Sequence, residues 1–313
     1  MPGFAQYVCN IWAWVFLLLF NYVNPVYAQS INDSTSLKVT IVLSEKSGSY
    51  VEFSNSLDEL LSKNNIPHQV IVSTETIPAS GLAIAVGMKA ATAVAASNAS
   101  SILNVLITKT SHAKLLHDFL RREVSPSFST IYLDQPIGRQ ANLIAAILPG
   151  KRNVGILYST PPKELSQIRE TFKAHGLKIQ EQEVGPELTL PDALQEILLG
   201  RSEMLLALPD GAVYNDSTIR NILLATYRRG IPLIGFSSGY VKAGALCALI
   251  STPAQIATQA AALIRQFNET HALPAPQYPH EFEVIVNEPV ANVLDLQVTS
   301  ASALHEKIRE EIE

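Results

Sequence analysis

Residues 82–97 read LAIAVGMKAATAVAAS. Leu82 to Val86 is an unbroken apolar run, too short for a helix and of the length of a strand buried on both faces. After Gly87-Met88, the alanine-rich stretch from Lys89 to Ser97 has the composition of a helix. A strand apolar on both sides and followed at once by a helix is a unit of a parallel sheet, because the crossover helix covers the face that the strand would otherwise expose.

Similar units lie on either side. Upstream, Leu37 to Leu43 reads as a strand. Tyr50 to Lys63 reads as a helix, with Val51, Phe53, Leu57, Leu60 and Leu61 near helical spacing and an Asn64-Asn65 stop, and His68 to Val72 as a strand. Downstream come strand Leu103–Thr108, helix Ser111–Glu123 and strand Ser129–Leu133. A second alternating set starts with a helix from Gln140 to Leu148. It continues through strands Val154–Tyr158, Leu177–Gln180, Met204–Leu208 and Pro232–Ile234, with helices Glu164–His175, Pro191–Leu199 and Thr218–Arg229 between them. The remainder holds strands Ala245–Ile250 and Phe282–Val286, a helix from Thr252 to Phe267, and a tail helix from Ala301 to Ile312.

Two alternating sets without a disordered linker predict an α/β fold of two Rossmann-like lobes with parallel sheets, hinged because the chain crosses between lobes more than once. The expected division is 29–133 plus about 237–281 for the first lobe, and 134–236 plus about 282–313 for the second.

With 313 residues, 47% of them hydrophobic, the chain has enough apolar surface for two cores. The 23 basic and 28 acidic residues leave a net charge of −5 with no basic block, which argues against a nucleic-acid partner. Residues 1–28 carry no charged side chain. Ile11 to Phe20 is an apolar run shorter than the roughly 20 residues that span a bilayer, and Val26-Tyr27-Ala28 places small residues at −3 and −1 of a cut before Gln29. This is the pattern of a removable signal peptide, and it predicts a periplasmic, exported chain; the absence of Lys or Arg before the apolar run leaves an uncleaved anchor as the alternative. Cys247 would be the sole cysteine of the mature chain and reads as a small core residue. The histidines fall in no metal-ligand spacing, and no phosphate-cradling glycine loop occurs, so neither a metal, a cofactor nor ATPase activity is expected.

In the middle of the chain stand Asp134-Gln135-Pro136-Ile137-Gly138-Arg139-Gln140, then Asn142-Leu143-Ile144, Leu148-Pro149 and Asn153-Val154-Gly155-Ile156-Leu157-Tyr158. A second block comprises Leu208-Pro209-Asp210, Ile231-Pro232-Leu233-Ile234, Tyr240-Val241-Lys242-Ala243-Gly244-Ala245-Leu246, Val286-Asn287 and Ala291. These passages resemble ABC-transporter substrate-binding proteins related to the tryptophan/tyrosine-binding group. The resemblance implies a type I periplasmic-binding-protein architecture, three crossings between lobes, a small ligand held where the lobes close, and an ABC permease as partner. The amino-terminal lobe departs from the family at Val86-Gly87-Met88-Lys89.

In doubly wound sheets ligands lie beyond the carboxyl ends of the strands. The candidate ligand-binding residues there are Ser44, Ser47, Tyr50, Gly87, Lys89, Thr108, Thr110, Asp134, Ser159, Asp210, Tyr214, Phe236, Ser237 and Tyr240. Hydroxyls beside helix amino termini can hold a carboxylate, Asp210 can pair with an ammonium, and the aromatic rings can flank a side chain. The same hydroxyls can instead cap helices, and an exposed Lys89 needs no ligand. Together the groups favour an amino-acid-like solute; the resemblance implies that a monomer binds it in an uptake system, with a ligand sensor of the same fold as the alternative. One further reading is an esterase, since Gly235-Phe236-Ser237-Ser238-Gly239 fits G-x-S-x-G, with Asp295 and His305 following in order. Against it, no helix is expected directly after Ser237, and no oxyanion-hole loop is visible.

Overall fold

A computed structural model of the chain describes residues 37–79, 81–122 and 127–310; the expected leader, 1–28, lies outside them. From Lys38 the chain forms one compact unit.

The first sheet contains β1 (Val39–Leu43), β2 (His68–Val72), β3 (Leu82–Val86), β4 (Ser101–Ile107) and β5 (Phe128–Tyr132), in the order β2-β1-β3-β4-β5 and parallel throughout. β1, β3 and β4 are buried along their whole length, β3 as an uninterrupted apolar run and β1 and β4 as mainly apolar ones, whereas edge strand β2 is half-exposed. The crossover helices are α1 (Gly48–Lys63), α2 (Met88–Ala96) and α3 (Lys109–Asp118). The helix expected to reach Glu123 stops at Asp118 and passes into a 3-10 turn, Leu120–Arg122. That turn lets the buried Arg122 guanidinium donate to the carbonyls of Ala95, Ser97 and Ala99 at the carboxyl end of α2.

After α4 (Ile137–Ile147) the second sheet is built from β6 (Asn153–Tyr158), β7 (Lys178–Glu183), β8 (Met204–Leu206), β9 (Leu233–Gly235), β10 (Cys247–Ile250) and β11 (Glu283–Val286). Its order is β11-β10-β9-β8-β6-β7, parallel except for the antiparallel β10–β11 pair. Helices α5 (Leu165–Ala174), α6 (Leu190–Leu199), α7 (Ile219–Arg228) and α8 (Ser238–Ala243) connect these strands. Cys247 is fully buried within β10, and burial pushes its thiol pKa up, as befits a core side chain.

Helix α9 (Pro253–Thr270) leaves the second sheet and packs on α1 of the first lobe. It starts in a full capping box, with Thr252 and Gln255 bonding each other's backbone N–H. The chain then returns to β11, followed by α10 (Glu288–Val293) and α11 (Ala301–Glu310), the latter against α4 and β11.

Sheet pairing moves one expected lobe boundary. The expected division places residues 237–250 in the first lobe, but β10 pairs with β9 and β11, so the return crossing falls at Ser251-Thr252. The reason is that Cys247 to Leu249 is apolar on both faces and fully buried, so it sits inside a sheet, where strands on both sides pair its backbone groups.

Candidate ligand cleft

The chain passes between lobes at 133–136, 251–252 and 277–282, and Arg139 together with Gln135 links all three. Arg139, buried on α4, donates from Nη1 to Gln135 Oε1 (2.6 Å) and the Pro279 carbonyl (3.2 Å), and from Nη2 to the His280 carbonyl (3.3 Å). Its guanidinium lies 4.3 Å from the centre of the Phe282 ring. Gln135 Nε2 donates to Ser251 Oγ (2.8 Å), which donates to the Glu281 carbonyl (2.6 Å). The third crossing also joins the first sheet, since Tyr132 N donates to the Gln277 carbonyl and Gln277 N to that of Thr130, each at 2.9 Å.

Above this junction the carboxyl ends of the two sheets face each other. Lys109, opening α3, reaches across to Glu164 in front of α5 (3.0 Å) and to the Tyr278 hydroxyl of the third crossing (3.2 Å). Among the described residues it makes the one ion pair between lobes. Burial pulls the Lys109 pKa down, but Glu164 and Tyr278 together hold it above its ordinary value. Behind it, Tyr132 stands edge-on to both Tyr278 (5.3 Å) and His112 (5.6 Å).

At the base of the cleft lies a cavity of about 90 Å³ lined from both lobes: Thr108, Leu133 to Gln135, Ile137 and Gln140 on one side, and Leu206 to Pro209, Phe236 and Leu249 on the other. A larger hollow, about 890 Å³, runs between α6 and α7, and none of the expected site residues lines it. The strand-end argument, rather than size, makes the smaller one the candidate site.

The cavity brings together three of the expected residues, Thr108, Asp134 and Phe236. Asp134 accepts from Lys109 N (2.5 Å); burial raises its pKa against the pull of that N–H. Thr108 caps α3, accepting from Ser111 N at 3.1 Å. Phe236 stacks at 4.4 Å on Tyr240, whose hydroxyl pKa burial pushes up to about 12, and meets buried Tyr214 edge-on at 6.5 Å.

The other candidates bond or pack within the chain or stand exposed at its surface. Ser44 accepts from Ala90 N (3.0 Å) and donates to the Val86 carbonyl (2.8 Å), capping α2 from a neighbouring loop. Gly87 is buried beneath the Tyr50 ring, with no room for a Cβ. Ser47 bonds exposed Glu45, Lys89 is exposed 3.7 Å from Glu45, and Thr110 is exposed. The Asp210 carboxylate takes three in-chain donors: Ser159 N (2.6 Å), Ser159 Oγ (2.8 Å) and Ala212 N (2.9 Å). Gln135, Arg139 and Gln140 stand in the passage that carries the family resemblance but are not among the candidate ligand-binding residues, although their polarity at the start of an otherwise apolar helix is a usable signal.

The G-x-S-x-G passage meets one expectation differently, because helix α8 does follow Ser237 directly. Yet Ser237 is in relaxed extended backbone (φ −152°, ψ 161°) and accepts from Tyr240 N as an ordinary cap. His305 packs on Phe282 and bonds Glu306, not Asp295, so no triad is assembled.

With this geometry in place, comparison with known proteins identifies the family. Residues 79–306 match the family model described as "ABC transporter substrate binding protein". The chain belongs to that family. It is a family of binding proteins, not in general of enzymes, and its members take small molecules for delivery to an ABC permease. Similar solved structures include a conserved domain protein from Vibrio cholerae (18% identity over 86% of this chain and 98% of that one, TM-score 0.60). A Streptococcus pneumonia ABC domain in complex with L-Trp is 13% identical over 86% of this chain and 98% of that one, TM-score 0.60. A Clostridium difficile substrate-binding protein with adhesive properties, in its ligand-free, open form, is 16% identical over 84% and 96%, TM-score 0.65. At these identities the likeness is one of fold, the type I periplasmic-binding fold. A sequence search of curated proteins gives no match.

Proposed function

We propose that this member of the family is an exported uptake protein that takes an amino-acid-like solute between its two lobes. The observation that carries the reading is the cavity walled by strand-end loops of both sheets, directly above crossings tied together by Arg139. A solute touching both walls favours the closed arrangement by its differential affinity, while the crossings bend. The L-Trp complex of a similar fold supports an amino acid as the class.

The test is a thermal-shift screen of the mature chain against amino acids, nucleobases, sugars and vitamins. An amino acid at 100 times its Kd is expected to add about 2.7 kcal/mol to stability. Stabilisation by a sugar or uncharged vitamin, and by no amino acid, sinks the assignment. Export follows from the uncharged leader ending in Val26-Tyr27-Ala28. Amino-terminal sequencing of the secreted chain is expected to begin at Gln29, and a secreted chain retaining Met1 refutes the cut.

A further inference from the structure

Gln140 is 9% exposed and lines the cavity at the cleft base, yet its Oε1 has no hydrogen-bond partner among the described residues. A buried amide oxygen left without a donor is costly, so one that persists in a native protein calls for an explanation, and a bound donor is one. No group of the cavity wall serves as the donor. Ile137, Leu206, Leu208, Phe236 and Leu249 are apolar. The Thr108 hydroxyl already donates to Ser111 Oγ (2.9 Å) and the Gln135 amide to Ser251 (2.8 Å). Lys109 turns its ammonium towards Glu164 and Tyr278, leaving the Asp134 carboxylate without a cation in contact. The Thr108 hydroxyl is thus committed and one of the two Gln135 amide protons is used, while Gln140 Oε1 has no donor and the Asp134 carboxylate, which accepts from Lys109 N, keeps free acceptor positions.

We infer that Gln140 is a specificity-determining residue which, with Asp134, receives an N–H donor end of the solute, so that an amine enters the cavity first and any carboxylate points away from it. Asp134 repels an entering carboxylate, and Asp210, already holding three donors, has little capacity left for an ammonium. The orientation rests on the proposed reading of the cleft as a solute site and extends it to the ligand's end group.

The experiment titrates wild type, Gln140→Leu, Gln140→Glu and Asp210→Asn with L-tryptophan and L-leucine, their deaminated acids, and the amines tryptamine and isoamylamine. Amine-bearing probes are expected to bind about tenfold or more tighter than the deaminated acids. Gln140→Leu should weaken them about tenfold while leaving the unliganded Tm equal or higher, because it removes an orphaned group. Gln140→Glu, which keeps the acceptor, should bind them at least as well as wild type, and Asp210→Asn should stay within about threefold of it. A purely structural role for Gln140 instead lowers Tm and affinity together, and that result overturns the inference. Deaminated acids binding as well as amino acids overturn it too, with the solute reading intact. Binding of the amines without the amino acids does the reverse, and binding of sugars alone overturns both.

Discussion

Replacing Arg139 with Met is expected to cost about 3–5 kcal/mol of stability and to lower Tm by about 6 °C or more. The side chain is 7% exposed, and its removal strips a donor from Gln135 Oε1, the Pro279 carbonyl and the His280 carbonyl at once. Methionine retains the packing on Phe282, so the loss reports the hydrogen bonds rather than a cavity. Arg139→Lys should recover less than half of it, since one ammonium cannot reproduce a planar fork that reaches three acceptors. Because two of the acceptors lie on the third crossing and Gln135 on the first, the variant should also scatter as a more expanded particle without ligand. A Tm within about 1 °C of wild type would show that the crossings hold their geometry without this residue.

The alternation of elements was legible because it follows from burial. β1 and β3 are apolar on both faces, and their runs stand out against amphipathic helices. Legibility failed where burial is one-sided. β7 continues to Glu183 through Gln180, Glu181 and Gln182, a polar edge strand with no apolar signature, its charges suited to an edge. α4 begins at Ile137 rather than Gln140, because Pro136 and Gly138 read as loop while Pro136 in fact precedes the first turn. In the site, residue type could nominate hydroxyls, but only geometry shows that those of Ser44, Thr108 and Ser237 accept backbone N–H groups. A sequence does not reveal which donors are already used. Gln140 stands out only after its neighbours' hydrogen bonds are counted.

Gly87→Ala is expected to destabilise the protein by about 3 kcal/mol and to weaken solute binding, and the reason separates two meanings of a glycine in a binding loop. Gly87 has φ 84° and ψ 171°, a region essentially reserved for glycine, so a side chain there adds about 1–3 kcal/mol of backbone strain. A Cβ at that position would also stand 2.7 Å from Ser44 Oγ and 2.7 Å from the Tyr50 ring. Both neighbours resist: Ser44 holds Ala90 N and the Val86 carbonyl, and Tyr50 belongs to the first turn of α1. Overpacking of this kind typically costs about 1–3 kcal/mol more, partly relieved if the ring turns aside. Gly138 supplies the control. It lies in the first turn of α4, and nothing stands within 4 Å of its hypothetical Cβ. Gly138→Ala should therefore leave stability unchanged or raise it by up to about 1 kcal/mol. Chemical denaturation of both variants, with ligand titration of each, checks the pair. If Gly87→Ala folds as stably as wild type, the backbone of this loop is free to rearrange. The departure from the family pattern at Val86-Gly87-Met88-Lys89 then has no conformational basis. If the two substitutions separate as expected, Gly87 supports its loop through its backbone, by leaving room for the Tyr50 ring close against it at the amino terminus of α2.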